Sequence, residues 1–335
     1  MDHNRFNLEA ARRYAGAMEQ LADARMSELS EGNGRGNRII RVTNGGGIDF
    51  TITPDRGMDI VECSFRGIPM AFRSPVGHAA AARYEPAGKG WLRNWPAGLM
   101  TTAGLRNVAV PNGEFGLHGR ASNLSAEDVG IRRFEADGEY RIEAVGTLRE
   151  SMMFGEYLEL RRTISTAWGV NTIRLHDEVT NRNALPDYLQ ILYHCNFGWP
   201  LVSPALEFEA PDHPVTPRNA RAAEGLAEWN RLPEPTVDFT EQCYFHQLPA
   251  GADGMARMSI VNREIGVRAT IAYATAELPR LVQWKNCRTG LYVLGLEPTN
   301  AGLAGRTEDI AAGRARQILP GETICFDLAI TFEQL

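Results

Sequence analysis

Cysteine is scarce in this 335-residue chain: Cys63, Cys195, Cys243, Cys287 and Cys325 are the only five. An odd number of scattered thiols with no Cys-x-x-Cys pair argues against a disulfide framework or a cysteine-built zinc site and suits a reducing compartment. No apolar run reaches the roughly 18 residues that cross a bilayer. The opening stretch, MDHNRFNLEAARRYAGAMEQ, lacks the apolar segment of a secretion signal, so the expected location is the cytoplasm, with no membrane partner. Positive charge is not in excess either, since 35 Lys and Arg against 41 Asp and Glu leave a net charge of -6 and a pI near 5.7. Nucleic acid is therefore not an expected partner. There is no Gly-x-Ser-x-Gly elbow, no His-x-x-x-His pair and no P-loop, which removes support for serine hydrolase, helix-borne zinc protease and nucleotide kinase chemistry. The run Gly32-Asn-Gly-Arg-Gly36 follows a predicted helix and precedes a strand, the reverse of the order a dinucleotide loop needs, and reads as a connector.

The remaining composition, 44% hydrophobic and 23% charged, is that of a chain able to bury a large core. At roughly 150 residues per domain its length suggests about two domains. Patterning points elsewhere. Leu8 to Leu29 is rich in good helix formers, with Leu8, Ala11, Ala15, Met18 and Leu21 at helical spacing, and predicts a helical segment over residues 1–31 that covers a sheet edge or makes a homodimer contact. From Ile39 onward the period is two. Strands are predicted at Arg38 to Thr43, Val61 to Phe65, Arg141 to Leu148, Tyr157 to Thr166, Asn171 to Thr180, Tyr188 to His194, Val267 to Tyr273, Leu291 to Glu297 and Ile324 to Phe332. No linker or repeat interrupts them, so residues 32–335 are expected to form one large antiparallel β domain. Two long irregular stretches, Pro75 to Pro111 and Ala210 to Pro235, are of a length that often serves binding.

Polar residues set against this pattern are the site candidates. His118 stands between Gly116 and Gly119, ahead of Arg120, and is either a turn histidine bonded to its own loop or a group presented to a ligand. His194 ends a strand in Tyr193-His194-Cys195-Asn196-Phe197, either capping it or aimed at a ligand. Alternation sends Cys195 to the opposite face, against a Cys-His nucleophile. Glu297 closes the apolar run Leu291 to Leu296, as a salt-bridged structural acid or as a general base. Arg56 and Arg106, the latter beside Asn107, suit anions or vicinal hydroxyls but are equally ordinary as loop arginines. Trp284 either stacks on a sugar face or belongs to the core. His176 lies on a regular polar strand face with no chemical signal, and His3, His78, His213 and His246 carry none.

The segments TPDRGMDI, GLMTTAGLRN, FGLHGRASN, YHCNFGWPL and GLEPTN, in this order, resemble the aldose 1-epimerases, or galactose mutarotases, and most closely the bacterial branch known only as aldose 1-epimerase family proteins. The resemblance covers nearly everything after the N-terminal segment. It implies an all-β supersandwich of large antiparallel sheets and a small-molecule carbohydrate substrate. It further implies Glu297 as general base at the anomeric hydroxyl, His194 as general acid at the ring oxygen and His118 as an assisting donor. Arg106, Arg56, Arg120, Asn107, Asn196 and Trp284 are then expected to contact substrate. The leading expectation is a cofactor-independent epimerase acting at or near the anomeric carbon of a monosaccharide or sugar acid. Two alternatives stand beside it: a divalent metal held by His118, His194 and Glu297 in a keto-sugar isomerase, epimerase or lyase, and a sugar-binding protein without catalysis.

Overall fold

The computed structural model describes residues 7–335. His3 therefore lies outside the described residues. A short helix α1 (Leu8–Tyr14), capped by the Asn7 side chain accepting from the Ala10 amide, leads into twenty strands. In chain order these are β1 (Asp23–Glu28), β2 (Arg38–Thr43), β3 (Ile48–Thr53), β4 (Asp59–Phe65), β5 (Ile68–Pro69), β6 (Thr101–Leu105), β7 (Glu127–Ala136), β8 (Glu139–Ser151), β9 (Tyr157–Ala167) and β10 (Val170–Asn181). They continue as β11 (Asp187–Phe197), β12 (Leu206–Glu209), β13 (Val215–Pro217), β14 (Gln242–His246), β15 (Met255–Asn262), β16 (Val267–Ala274), β17 (Arg280–Arg288), β18 (Leu291–Thr299), β19 (Arg316–Ile318) and β20 (Thr323–Gln334). Two further short helices, α2 (Ala220–Glu224) and α3 (Arg306–Ala311), sit in loops.

The strands form three antiparallel sheets. One runs β1-β2-β3-β4-β5, and a second, of eight strands, runs β12-β15-β16-β20-β10-β9-β8-β7. The third runs β13-β14-β17-β18-β11-β19, with β6 also paired to β11. Phe65 of β4 stacks on Phe332 of β20 at 5.9 Å, and Tyr193 of β11 meets Phe326 of β20 at 6.4 Å. Both smaller sheets thus pack on the eight-stranded one, and one hydrophobic core draws residues from Ala22 to Phe332. This is the all-β supersandwich of large antiparallel sheets that the resemblance implies. No helix among the described residues is long and apolar enough to cross a membrane.

Every strand predicted from period-two alternation is present, and the N-terminal helix is the main correction. It ends at Tyr14, and Asp23–Glu28 pairs residue by residue with β2 instead, from Asp23 opposite Thr43 to Glu28 opposite Arg38. Ala, Glu, Arg and Met favour a helix intrinsically, but an available sheet edge outweighs a preference of a few tenths of a kcal/mol per residue. Asp23 is further held by Arg133 of β7 at 2.8 Å, and Arg12 of α1 pairs with Glu135 on the same strand. The stretch read as irregular between Pro75 and Pro111 contains β6, whose residues Thr-Thr-Ala-Gly-Leu are buried throughout and so show no alternation.

Candidate active site

Three of the strands that carry site residues sit side by side. β11 pairs with β18 in a register that sets Leu192 opposite Thr299 and Cys195 opposite Leu296, and so places His194 across from Glu297. β18 pairs with β17, with Val282 opposite Glu297 and Trp284 opposite Gly295. Side chains facing each other across an antiparallel pair lie about 5 Å apart at Cβ, close enough to interact directly. His194 Nε2 stands 3.3 Å from Glu297 Oε1. No hydrogen bond joins them, and Glu297 Oε1 and His194 Nδ1 have no hydrogen-bond partner, although both residues are buried. Gly295 makes room for this arrangement, since a Cβ there would lie 2.5 Å from Glu297 Oε1.

His118 arrives from a different direction. It adopts φ 59°, its amide donates to Ala109 O at 3.0 Å, and its carbonyl accepts from Gly104 N at 3.0 Å. The following Gly119 is at φ 69°, and a Cβ there would come within 2.5 Å of the Asn107 and Gly104 carbonyl oxygens. The glycine that the turn needs is thus set by backbone on two sides. The His118 ring lies 5.7 Å from that of His194, nearly edge-on, and its Nδ1 is also unpartnered.

These groups open onto a cleft of about 360 Å³. Its walls include Trp91, Trp95 and Trp284, with Lys89, Arg218 and Glu241 as charged groups. Trp91 stacks on Trp95 at 4.9 Å and meets His118 at a tilt at 4.7 Å, while Trp95 and Trp284 approach His194 at 5.2 and 5.4 Å. Trp284 Nε1 donates to Glu241 Oε2 at 2.7 Å. Arg218 donates to the Leu303 carbonyl at 3.3 Å and has no ion pair among the described residues. Stacked rings beside a few convergent polar groups suit a ligand with an apolar face and a hydroxylated rim.

Burial dominates the electrostatics. It raises the Glu297 carboxyl well above its ordinary range, opposed by Arg218 and assisted by Glu241. Burial, and then the proximity of His118, hold His194 well below the usual histidine value. His118 is pushed down to about 3 by burial and then by Arg218. In a dry site each group favours its neutral form. His118 is thus an N–H donor and lone-pair acceptor near neutral pH, with no proton to release. For the His194–Glu297 pair, burial favours neutral acid and neutral imidazole over carboxylate and imidazolium.

Of the nine residues expected at a site, the structure gathers His118, His194, Glu297 and Trp284 at this cleft, and the other five lie outside its lining. Arg56 is buried and donates to the carbonyl oxygens of Ser122, Ala79 and Asn94. It stitches together the loops behind the tryptophans. Arg106 is committed to Glu156 at 3.0 Å and Asp187 at 2.9 Å. Asn107 braces its own loop through Val110 O and Gly116 O, and Asn196 ties the strand end through Gly98 O and His194 O. The Arg120 side chain is exposed, while its amide donates to Gly104 O. Trp91, Trp95, Arg218 and Glu241 were not foreseen individually. All but Glu241 come from the two long irregular stretches, and Trp91-Leu-Arg-Asn-Trp95, with two tryptophans four apart in a loop, is the signal that marks one of them. The metal trio receives no geometric support. Among the described residues, the one set of three donors with ligand atoms within 4.8 Å of one another is His176, Glu178 and Cys325, elsewhere on the molecule.

Known structures share this fold. A candidate aldose 1-epimerase from Klebsiella pneumoniae superposes with a TM-score of 0.87 at 29% identity, covering 94% of this chain and 86% of its own. A galactose mutarotase-like protein from Clostridium acetobutylicum gives 0.68 at 13% identity, over 94% of this chain and 100% of the other. A galactose 1-epimerase from Lactobacillus acidophilus gives 0.60 at 11%, over 93% and 99%. No curated protein matches. Residues 34–332 match the family model described as a domain of unknown function, DUF4432. Since that match spans the supersandwich from before β2 into β20 and takes in every residue of the cleft, the chain belongs to the DUF4432 family, on a galactose mutarotase-like fold.

Proposed function

We propose that the chain is a cofactor-independent carbohydrate epimerase that interconverts anomers, or acts next to the anomeric carbon, of a monosaccharide or sugar acid. The observation that carries this reading is the 3.3 Å separation of His194 Nε2 and Glu297 Oε1 in a cleft walled by tryptophan. Opening a cyclic sugar takes a proton from the anomeric hydroxyl and gives one to the ring oxygen. Both oxygens are bonded to the same carbon, so the base and the acid must stand side by side. Once the proton held by Glu297 has passed to His194, Glu297 as carboxylate accepts the hydroxyl proton while His194 as imidazolium protonates the ring oxygen. The ring C–O bond breaks and the open-chain aldehyde forms, leaving Glu297 protonated and His194 neutral. After rotation about the adjacent carbon–carbon bond, Glu297 returns its proton to the carbonyl oxygen and His194 takes one from the attacking hydroxyl. One shared proton therefore serves both half-reactions, and the pair is restored. His118, kept neutral, supplies an N–H toward the ring oxygen.

Arg218 favours an anionic substrate. Arg218 lines the cleft with Lys89 and forms no ion pair among the described residues. The carboxylate of a sugar acid would complete it.

Glu297→Gln, assayed by polarimetry and NMR across neutral sugars and sugar acids, is the direct test. Positioned acid–base groups contribute about 10²–10⁴-fold, and a loss in that range is expected. Unchanged turnover of a substrate that the wild type accepts would overturn Glu297 as the base. Binding without turnover by the wild type across the panel would favour a sugar-binding role.

A further inference from the structure

We propose that His176, Glu178 and Cys325 form a binding site for a divalent transition metal of the zinc type on the solvent-facing side of the eight-stranded sheet, with Asp327 orienting the histidine. The site is independent of the cleft. β10 and β20 are neighbours in register, His176 opposite Asp327 and Glu178 opposite Cys325. Alternation puts His176 and Glu178 on one face of β10 and Cys325 and Asp327 on the same face of β20. Four residue types that ligate metals thus make a square of two by two on a rigid ladder.

The ligand atoms of His176, Glu178 and Cys325 lie within 4.8 Å of one another. A tetrahedral ion with bonds of about 2.0–2.3 Å needs donors roughly 3.5 Å apart, a closure that exposed side chains achieve by small rotations. His176 Nδ1 is 2.8 Å from Asp327 Oδ1. With Nδ1–H donated to that carboxylate, Nε2 keeps its lone pair free for a metal. This is the carboxylate–histidine arrangement that orients metal-bound imidazoles. Three protein donors of mixed nitrogen, oxygen and sulfur character leave a fourth position open, as in zinc sites that bind water or a further ligand. The competing cation, Arg161, reaches Glu178 only at 3.9 Å.

The thiol makes the test specific, because Cys325 is exposed whereas the other four cysteines are buried. Cobalt(II) titrated into the reduced full-length chain should produce a thiolate-to-cobalt charge-transfer band that saturates at one equivalent and is displaced by zinc. Cys325→Ser should abolish the band, and Asp327→Asn should weaken cobalt binding about 10–100-fold. Glu297→Gln should leave both unchanged. Absence of the band, or its persistence in Cys325→Ser, would overturn the proposal. Should the band survive Cys325→Ser but fall in His194→Ala, the metal belongs in the cleft instead. Bulk metal content of the purified protein does not separate these two locations.

Discussion

Tyr193 and His194 are consecutive on β11 and serve opposite faces of it. The Tyr193 hydroxyl donates to Asp177 Oδ2 at 2.7 Å inside the sandwich, while His194 lines the cleft. Asp177 in turn receives Arg162 through two bonds, at 2.9 and 2.6 Å, and Arg162 reaches the Gly57 carbonyl and the Thr102 hydroxyl, each at 2.7 Å. The position of the His194 imidazole is therefore backed by a buried ionic network that, through Asp59 of β4 at 3.4 Å from Arg162, joins all three sheets.

Removing one side of that network should be costly. Asp177→Ala would remove both short bonds to the Arg162 guanidinium, whose side chain is at 0% exposure, and leave it only Asp59 at 3.4 Å; it is expected to destabilise the fold by about 3 kcal/mol. Replacing both residues, Arg162→Met with Asp177→Leu, should recover only part of the loss, because the buried Asp59 carboxylate and Tyr193 hydroxyl lose their partners. Denaturant midpoints of the single and double variants decide it, and a single variant as stable as wild type would contradict the assignment.

Gly295→Ala separates stability from catalysis. The added methyl meets the far end of the Glu297 side chain, with Trp284 Cβ next at 3.1 Å, so the sheet can keep its form while the carboxylate is displaced. Catalysis should fall by about 10²-fold or more, since misplacing a reacting group by an ångström has that effect. The melting temperature should change little. Full activity would show that the Glu297 orientation seen here is not the working one.

The pH profile should be broad. The singly protonated His194–Glu297 pair gains a second proton only below the lowered His194 value and loses its last only above the raised Glu297 value. The acid limb of kcat/KM is thus expected well below pH 6.5, and activity should persist well beyond the ordinary carboxylate range before an alkaline limb. A profile falling steeply between pH 7 and pH 6 would place an ordinary histidine in control.

Glu150 offers a pH test of stability. It is buried behind the His118 turn and accepts the Leu105 amide at 2.8 Å, and burial raises its carboxyl to about 7. A raised folded-state value means that the folded protein holds the proton longer than the unfolded chain. Its contribution is therefore complete below about pH 4.5 and lost as pH climbs through 7. Glu150→Gln, which can still accept the amide, should gain on wild type between pH 5 and pH 8, by roughly 3 kcal/mol at most. Equal pH slopes for the two proteins would refute the shift.

The strands and the three residues that meet at the cleft were legible because each breaks or keeps a simple alternation. His194 and Glu297 end apolar runs, and His118 sits between glycines. The arginines were not legible in the same way. Arg56 binds backbone carbonyls and Arg106 binds acids, whereas Arg218 faces the cleft, and the three look alike in sequence because their partners come from distant segments. Asp23–Glu28 misled for the opposite reason: its residues favour a helix, and only the neighbouring edge of β2 makes it a strand. The His176, Glu178 and Cys325 group was equally invisible, since no spacing rule joins two strands that far apart in the chain.

The place of β20 has a bearing on how the molecule is made. It lies between β16 and β10 and is the seam joining the four earlier strands of the eight-stranded sheet to the three later ones. Until residues 323–334 have left the ribosome, β10 and β16 both present unpaired edges, and neither smaller sheet has the surface of β20 to pack on. Such late, long-range closure is slow and exposes strands to wrong partners. The packed sandwich should accordingly be among the last parts of the protein to form, and the yield of folded chain should be more sensitive to chaperone supply than its final stability would suggest.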